Sequence, residues 1–364
     1  MRIVAAALTP LRCRLRTPLV TARGGIDVRE GFVLHVTGDA GEIGVGEGSP
    51  LYWLGEGSLA ATRAELERVV AAVIDGRPAA DELRERFLAP AGAESLTGAA
   101  ACGLDAALLE IAALVAQVGA GELLGGVATV VLPVAALVGG TTEAALLGAV
   151  DAAIGAGFTT IKMKVGAATL PDDVRRVLAV RARIGREVRL RLDANRAWSV
   201  DVARAALAAL ASVEPEFVEE PLANADSHAL ASLARATSVP LALDESLVDA
   251  ADLERVIESG ARVHVVLKAV RVGGPTRLVA LARRAHAAGL PIVVTDGIES
   301  AVGMRVALHA AAALPGAVHA VGLGGAQLLT DADAEALRRP SLAVRGPGYA
   351  VDVPAPPSAA VAYG

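Results

Sequence analysis

Charged residues close a series of short β-rich runs at near-constant intervals, and this periodicity restricts the fold more than any other feature of the chain. Steps of 29, 26, 25 and 24 residues separate Lys164, Asp193, Glu219, Asp244 and Lys268. Each step has room for one strand, one helix and two loops. Eight β-rich runs can be marked, at 127–138, 159–165, 188–193, 217–220, 241–244, 263–268, 292–295 and 319–323. Ala- and Leu-rich helical stretches lie between them, among them 172–184, 200–210, 227–236, 251–258 and 276–288. Alternation of this kind builds a parallel sheet. Eight strands at this repeat suit a closed α/β barrel, for which roughly 250 residues is typical. An open doubly wound sheet competes, but no Gly-x-Gly-x-x-Gly turn follows the first strand.

The first 120 residues follow another pattern. Strands are expected at 3–8, 15–22 and 32–37, then a glycine-rich segment at 42–50 and helices at 58–74, 81–88 and 96–118, with Gly76 ending the first helix. The division is therefore an α+β unit over 1–120 and a barrel over 121–339, with 340–364 returning to the first unit.

Composition narrows the function. The net charge is −6, so a basic surface for nucleic acid is not expected. Aromatics are 2% of the chain, which leaves little for base stacking. Cys13 and Cys102 have no metal-ligand spacing. Neither a secretory leader nor a membrane span is expected: the apolar segment 98–116 carries Asp105 and Glu110. The reading is a cytoplasmic enzyme acting on a small molecule, with no nucleic-acid or membrane partner, and a homo-oligomer is compatible with it.

Of 34 basic Lys and Arg residues, only Lys162, Lys164 and Lys268 are lysine. Arg stays protonated at any usable pH, whereas a Lys pKa can be lowered by its surroundings. All three stand at apolar, strand-like segments, where ionisable groups are candidate site residues. Lys162 and Lys164 are two apart and share a strand face. Like-charge repulsion between them is expected to lower the pKa of Lys164, leaving Lys162 as its tuning partner. Asp193, Glu219 and Asp244 end neighbouring strands between the lysines. Three carboxylates at one mouth suit Mg2+, and Mn2+ can take the same ligands; no His or Cys stands with them to favour zinc. Metal, base and opposing cation together suit removal of a proton α to a carboxylate.

Lys162-Met-Lys164, Asp193-Ala-Asn195, Glu219-Glu-Pro221, Asp244-Glu-Ser246 and Leu267-Lys268 resemble, in order, the strand-end motifs of the muconate-lactonizing subgroup of the enolase superfamily. The resemblance implies a TIM-like (β/α)7β barrel with an N-terminal α+β capping domain completed by the C-terminal tail. It implies Asp193, Glu219 and Asp244 as metal ligands, and Lys164 and Lys268 as the acid/base pair. The run from Arg189 to Trp198, the segment Gly44–Pro50 and the early Pro18-Leu-Val-Thr-Ala22 are most similar to the o-succinylbenzoate synthases of that subgroup, which act in menaquinone biosynthesis. By the same likeness Gly297 and Ser300 help hold a carboxylate substrate with backbone N–H groups, although Asp296-Gly297 replaces the usual paired serines, and Gly322, in a Gly-Leu-Gly loop like the family's, is a further substrate contact. Asn195 joins them as a substrate contact. Arg191 faces inward and either meets a substrate carboxylate or forms an internal ion pair. Glu220 and Glu245 are expected to point away from the ligand face, and His264 and His319 to be core or edge residues. Segments 21–29 and 51–54 are read as either a lid or surface turns.

Dipeptide and N-acylamino acid epimerases are the alternative within the superfamily. The Asp-x-Asp that usually holds the α-amino group of a dipeptide is missing from His319-Ala-Val-Gly-Leu323. A Schiff-base aldolase would need no carboxylate triplet, and a non-catalytic relative need not keep all five charged strand ends.

Overall fold

The computed structural model describes residues 1–21, 24–51, 57–90, 92–223, 227–316 and 319–352. A three-stranded antiparallel cap, β1 (Ile3–Thr21), β2 (Gly24–Gly38) and β3 (Ile43–Gly48), stands beside an eight-stranded parallel barrel. The first two strands are longer than the sequence suggests. Pro10 and Pro18 read as breaks, yet Pro10 pairs with Phe32, and only the register slips between Arg14 and Leu19. β1 is the sheet edge, and an edge strand accommodates Pro because one side of it forms no ladder.

Three helices complete the cap: Leu59–Gly76, Ala80–Leu88 and Gly98–Ala116. Ser58 caps the first by accepting from the Ala61 N–H, and the helix ends at Gly76 as expected, with a left-handed Arg77 as its C-cap. Gly98–Ala116 is buried along most of its length because it is wedged between β3 and the barrel. Two glycines of β3 permit this. A Cβ on Gly44 would lie 2.1 Å from the Ala107 carbonyl oxygen, and one on Gly46 would lie 1.9 Å from that of Gly103. It is the one helix among the described residues long and apolar enough to cross a bilayer, and its apolar surface is consumed by packing.

The barrel strands are β4 (Thr129–Val138), β5 (Thr160–Lys164), β6 (Arg189–Asp193), β7 (Phe217–Glu219), β8 (Leu241–Leu243), β9 (Val263–Leu267), β10 (Ile292–Val294) and β11 (Val321–Gly322). Neighbours pair in parallel from β4 to β10. β11 closes the ring on β4 through Val321↔Val134 and Gly322↔Ala135, with a bridge from Thr295 to Gly322. Closure therefore rests on a two-residue strand, shorter than the run expected at 319–323. A C-terminal hairpin, β12 (Ser341–Arg345) and β13 (Val351–Asp352), pairs with the start of β4. Gly348 in that hairpin accepts from the Ala120 N–H and donates to the Val118 carbonyl, tying it to the end of the cap helix. Inside the barrel, Phe217, Ala242, Val266 and Val293 form an apolar layer.

Candidate active site

The register turns the spacing of charges into a site. Lys164 pairs with Asp193, and Asp193 with Glu219, across β5, β6 and β7. Asp244 and Lys268 follow β8 and β9 directly. All five charged groups meet at the carboxyl end of the barrel, where loops rather than sheet set the shape.

Lys162 donates to both oxygens of Glu219 at 2.7 Å and lies 2.8 Å from Asp193 Oδ2. Lys164 donates to Asp193 Oδ2 at 2.8 Å and to Asn195 Oδ1. Lys268 donates to Asp244 Oδ2. Burial alone would lower the pKa of Lys162, but the Asp193 and Glu219 carboxylates outweigh it and raise it. Carboxylates, rather than a neighbouring ammonium, thus set the sign of the Lys162 shift. Burial also works against Asp193, yet Lys162 and Lys164 hold its pKa well below the usual range. Glu219 moves the other way, raised by burial and by the Asp193 anion, with Lys162 opposing.

These residues fit a hard divalent cation. The Asp193, Glu219 and Asp244 carboxylates are each almost fully buried. Asp244 Oδ1 has no hydrogen-bond partner, and an orphaned buried carboxylate oxygen is costly unless a cation meets it. The raised Glu219 pKa likewise marks a cluster short of positive charge. Lys162 bridges two of the three carboxylates, Glu219 and Asp193.

The loops carrying these groups are held in uncommon backbone. Asn195, Arg196, Glu220 and Ile298 have φ of +45°, +61°, +40° and +61°. Left-handed backbone at non-glycine residues persists only where surrounding contacts over-determine it. Here the Asn195 N–H donates to Asp193 Oδ1 at 3.0 Å, and Glu220 accepts from the Asp244 and Ser246 N–H groups. Glu220 is buried behind the ligand face, as alternation along β7 implies, and Arg196 pairs with it. Burial and the nearby Glu245 push its pKa up to about 7, with Arg196 opposing.

A cavity of about 120 Å3 opens at the mouth. Lys162, Lys164, Asp193, Asn195, Asp244 and Lys268 line it, as do Gly297 and Gly322, while Leu51, Leu137, Ile298 and Leu323 supply apolar walls. Two other residues of this lining were not anticipated. Glu245 reaches the cavity and accepts from Asn195 Nδ2 at 3.0 Å, because strand alternation ends with β8. Asp296, two residues past the end of β10, is held by the N–H groups of Gly324 and Gly325 at 2.8 and 2.7 Å. Burial pushes its pKa up to about 6 against those bonds. Its position at a strand end was the available signal.

Ser300, expected as a substrate contact, does not reach this cavity, and Arg191 takes the second of the two roles left open for it. Arg191 points inward but lies deeper, where it donates to Glu216 Oε2 at 2.6 Å and to the Ala320 carbonyl at 2.8 Å. It is an internal ion pair, turned toward Glu216 ahead of β7 and away from the cavity that its register partner Lys162 lines. Ser300 caps the helix Ala301–Ala312, and its N–H and Oγ both donate to the buried Glu47 carboxylate of the cap. The Gly303 N–H donates there too. The helix start expected to hold a substrate carboxylate therefore holds Glu47. Gly297 lines the cavity, but its N–H is engaged by Glu299. Arg29 completes this cap–barrel contact by donating to the Ile298, Pro50 and Ser49 carbonyls. Of the two candidate lid segments, residues 22–23 and 52–54 lie outside the described residues; 24–29 belongs to β2, and Leu51 lines the cavity.

Comparison with known proteins agrees with this architecture. Residues 3–125 match the mandelate racemase/muconate lactonizing enzyme N-terminal domain, and residues 145–355 match the enolase C-terminal domain-like family. An o-succinylbenzoate synthase of Thermobifida fusca is 41% identical over 201 residues, which is 54% of this chain and 61% of that protein. A hydrophobic dipeptide epimerase of Enterococcus faecalis is 28% identical over 316 residues, 86% of this chain and 88% of that one. The structure of an Enterococcus faecalis dipeptide epimerase with Mg and L-Leu-L-Tyr superposes with a TM-score of 0.84 at 23% identity, covering 97% of this chain and all of that one. A muconate lactonizing enzyme of Pseudomonas fluorescens with bound muconolactone gives 0.84 at 21% identity, covering 97% of each chain.

Proposed function

We propose that this chain, which belongs to the mandelate racemase/muconate lactonizing enzyme family of the enolase superfamily, is a Mg2+-dependent o-succinylbenzoate synthase. The substrate is a succinyl-hydroxycyclohexadiene-carboxylate. Asp193, Glu219 and Asp244 would hold the ion. When bound, Mg2+ would supply positive charge that stabilises the developing enediolate oxygens. Lys164, as the free amine, removes the proton α to the ring carboxylate. The ring C–O bond then breaks, and the departing hydroxide recovers a proton from the Lys164 ammonium and leaves as water. Lys268 stays a cation throughout and lowers the energy of the negative charge from the other side. The apolar walls, Leu51, Leu137, Ile298 and Leu323, suit a carbocyclic ring.

The observation that carries this reading is the inequality of the two lysines. The Lys164 side chain is 34% exposed, whereas that of Lys268 is 11% exposed and committed to Asp244. A dehydration needs one lysine that moves protons and one that holds charge. A racemisation needs two exchanging bases. Lack of a receptor for an α-ammonium group points the same way: the one carboxylate at the β10–β11 edge among the described cavity residues, Asp296, has both oxygens engaged.

The second reading, an epimerase of dipeptides or N-acylamino acids, is favoured by the length over which the Enterococcus faecalis relative matches. One experiment separates them. Incubated with Mg2+ and the cyclohexadiene substrate, the protein should form the aromatic product. Absence of that product, together with deuterium uptake at the α-carbon of a dipeptide or an N-acylamino acid, would move the assignment to the epimerases.

A further inference from the structure

The opposite end of the barrel holds a second cluster that the mouth chemistry does not use. Glu216 immediately precedes β7, His264 lies at the start of β9, and His319 precedes β11 by two residues. One ligand atom from each, a carboxylate oxygen and two imidazole nitrogens, lie within 4.8 Å of one another. Along β9 the order is His264, Val266, Lys268, so the apolar layer containing Val266 separates this cluster from the mouth. His264 also lines a cleft between the starts of β8, β9 and β10, which gives an ion a way in.

We propose that Glu216, His264 and His319 form a binding site for a transition-metal dication of the Zn2+ or Co2+ type, which ties the closing strand of the barrel to its neighbours. Two nitrogens and one oxygen select such ions over Mg2+, which prefers oxygen alone. Two of the candidate ligands, His264 and Glu216, already have an outer partner of the kind that orients metal ligands. An imidazole N–H of His264 is hydrogen-bonded to the Leu241 backbone, which leaves the other ring nitrogen as a lone-pair donor, and burial disfavours its protonated form. Glu216 is oriented by Arg191, itself anchored on the Ala320 carbonyl. His319 Nδ1 lies 2.9 Å from Glu216 Oε1, and the ion would replace the proton shared there. Water fills the remaining coordination.

Two guanidinium groups temper the affinity. Arg191 is fixed on Glu216 Oε2, and the exposed Arg189 approaches Oε1 at 3.4 Å. Their charge opposes a dication, so binding is of moderate strength and Arg189 must swing aside. The structural benefit is specific. β11 has only two residues, and the three ligands come from the fourth, sixth and eighth barrel strands or their leads. An ion held there adds a cross-link where strand pairing is sparsest, at the end of the barrel where conserved features usually serve stability.

The test uses the full chain with excess Mg2+, so that the mouth carboxylates are saturated with a hard ion. Sub-millimolar Co2+ is added and visible absorption is recorded. A stoichiometric nitrogen-ligated Co2+ band is expected, lost in His264→Gln and in His319→Gln and retained in Asp244→Asn. Loss of a ligand should weaken binding by at least ~10- to 100-fold. Zn2+ at about a hundredfold excess over its Kd should raise the Tm of the unaltered protein by about 4 °C and leave both His variants unmoved. The absence of a Co2+ band in the unaltered protein overturns the proposal without any variant. A band that survives in folded His264→Gln or His319→Gln overturns it as well, since the ion is then bound elsewhere.

Discussion

The two flanks of the mouth differ more than their matching lysines suggest. On the β5 side, Lys164 is partly open to the cavity and shares Asp193 with Lys162 and with the Asn195 turn. On the β9 side, Lys268 is almost closed off and its charge is committed to Asp244. A lysine that exchanges protons needs access and a partner that can release it. A lysine that only holds charge is better buried, where its field is least screened. In the proposed reaction the same residue type at matching strand ends would therefore have two different uses.

The most severe way to break this comparison is to remove the open side. Lys164→Ala should lower turnover of the cyclohexadiene substrate by about 10^4-fold, the upper range for a general base, and Lys164→Arg should not rescue it. The buried side should behave differently. Lys268→Ala is expected to cost about 10^2- to 10^3-fold in kcat, while Lys268→Arg keeps most of the activity, because a fixed cation is all that this flank supplies. If Lys268→Arg were as inactive as Lys268→Ala, the flanks would both be bases and the epimerase reading would gain. Asn195→Ala removes the Lys164 acceptor and the Glu245 contact, and should lower kcat about tenfold with little change in Tm.

Smaller effects lie outside the mouth. Glu47→Gln weakens the bonds that pin Ser300 and Gly303 to the cap, and should cost about 1–3 kcal/mol in chemical denaturation. The smallest effect is a control at the barrel floor, measured with chelator present. Burial would raise the Glu216 pKa, but His319 and Arg191 outweigh it and bring it from 4.5 down to about 2. A depressed carboxylate contributes stability that is fully present above its unfolded pKa and is lost as pH falls through its folded one. The stability difference between the unaltered protein and Glu216→Gln should therefore be constant above about pH 5 and shrink steadily as pH falls from there toward about 2.

Much of the site was readable because barrel geometry converts one-dimensional spacing into convergence. Lys162, Lys164, Asp193, Glu219, Asp244 and Lys268 end up together for that reason alone. What the sequence left open or missed has a common cause. Arg191 shares a face with Asp193, and a face does not say whether its side chain turns to the mouth or to Glu216. Glu245 and Asp296 lie just past strand ends, where alternation stops carrying information. Ser300 stands at a helix start that could serve any anion, and the anion that arrives is Glu47, more than 250 residues away in the chain. Pro10 and Pro18 were read as strand breaks because edge position is invisible in a single strand.

The sequence by itself determined the strand order, the charged residues at five successive strand ends and the all-oxygen donor set of the three carboxylates, since these follow from periodicity and side-chain chemistry. Only the tertiary structure decided how deep each inward group lies, which lysine is open and which is sealed, and which anion fills the Ser300 helix start. Those are questions of burial and of contacts between distant segments, and neither local spacing nor residue type contains them.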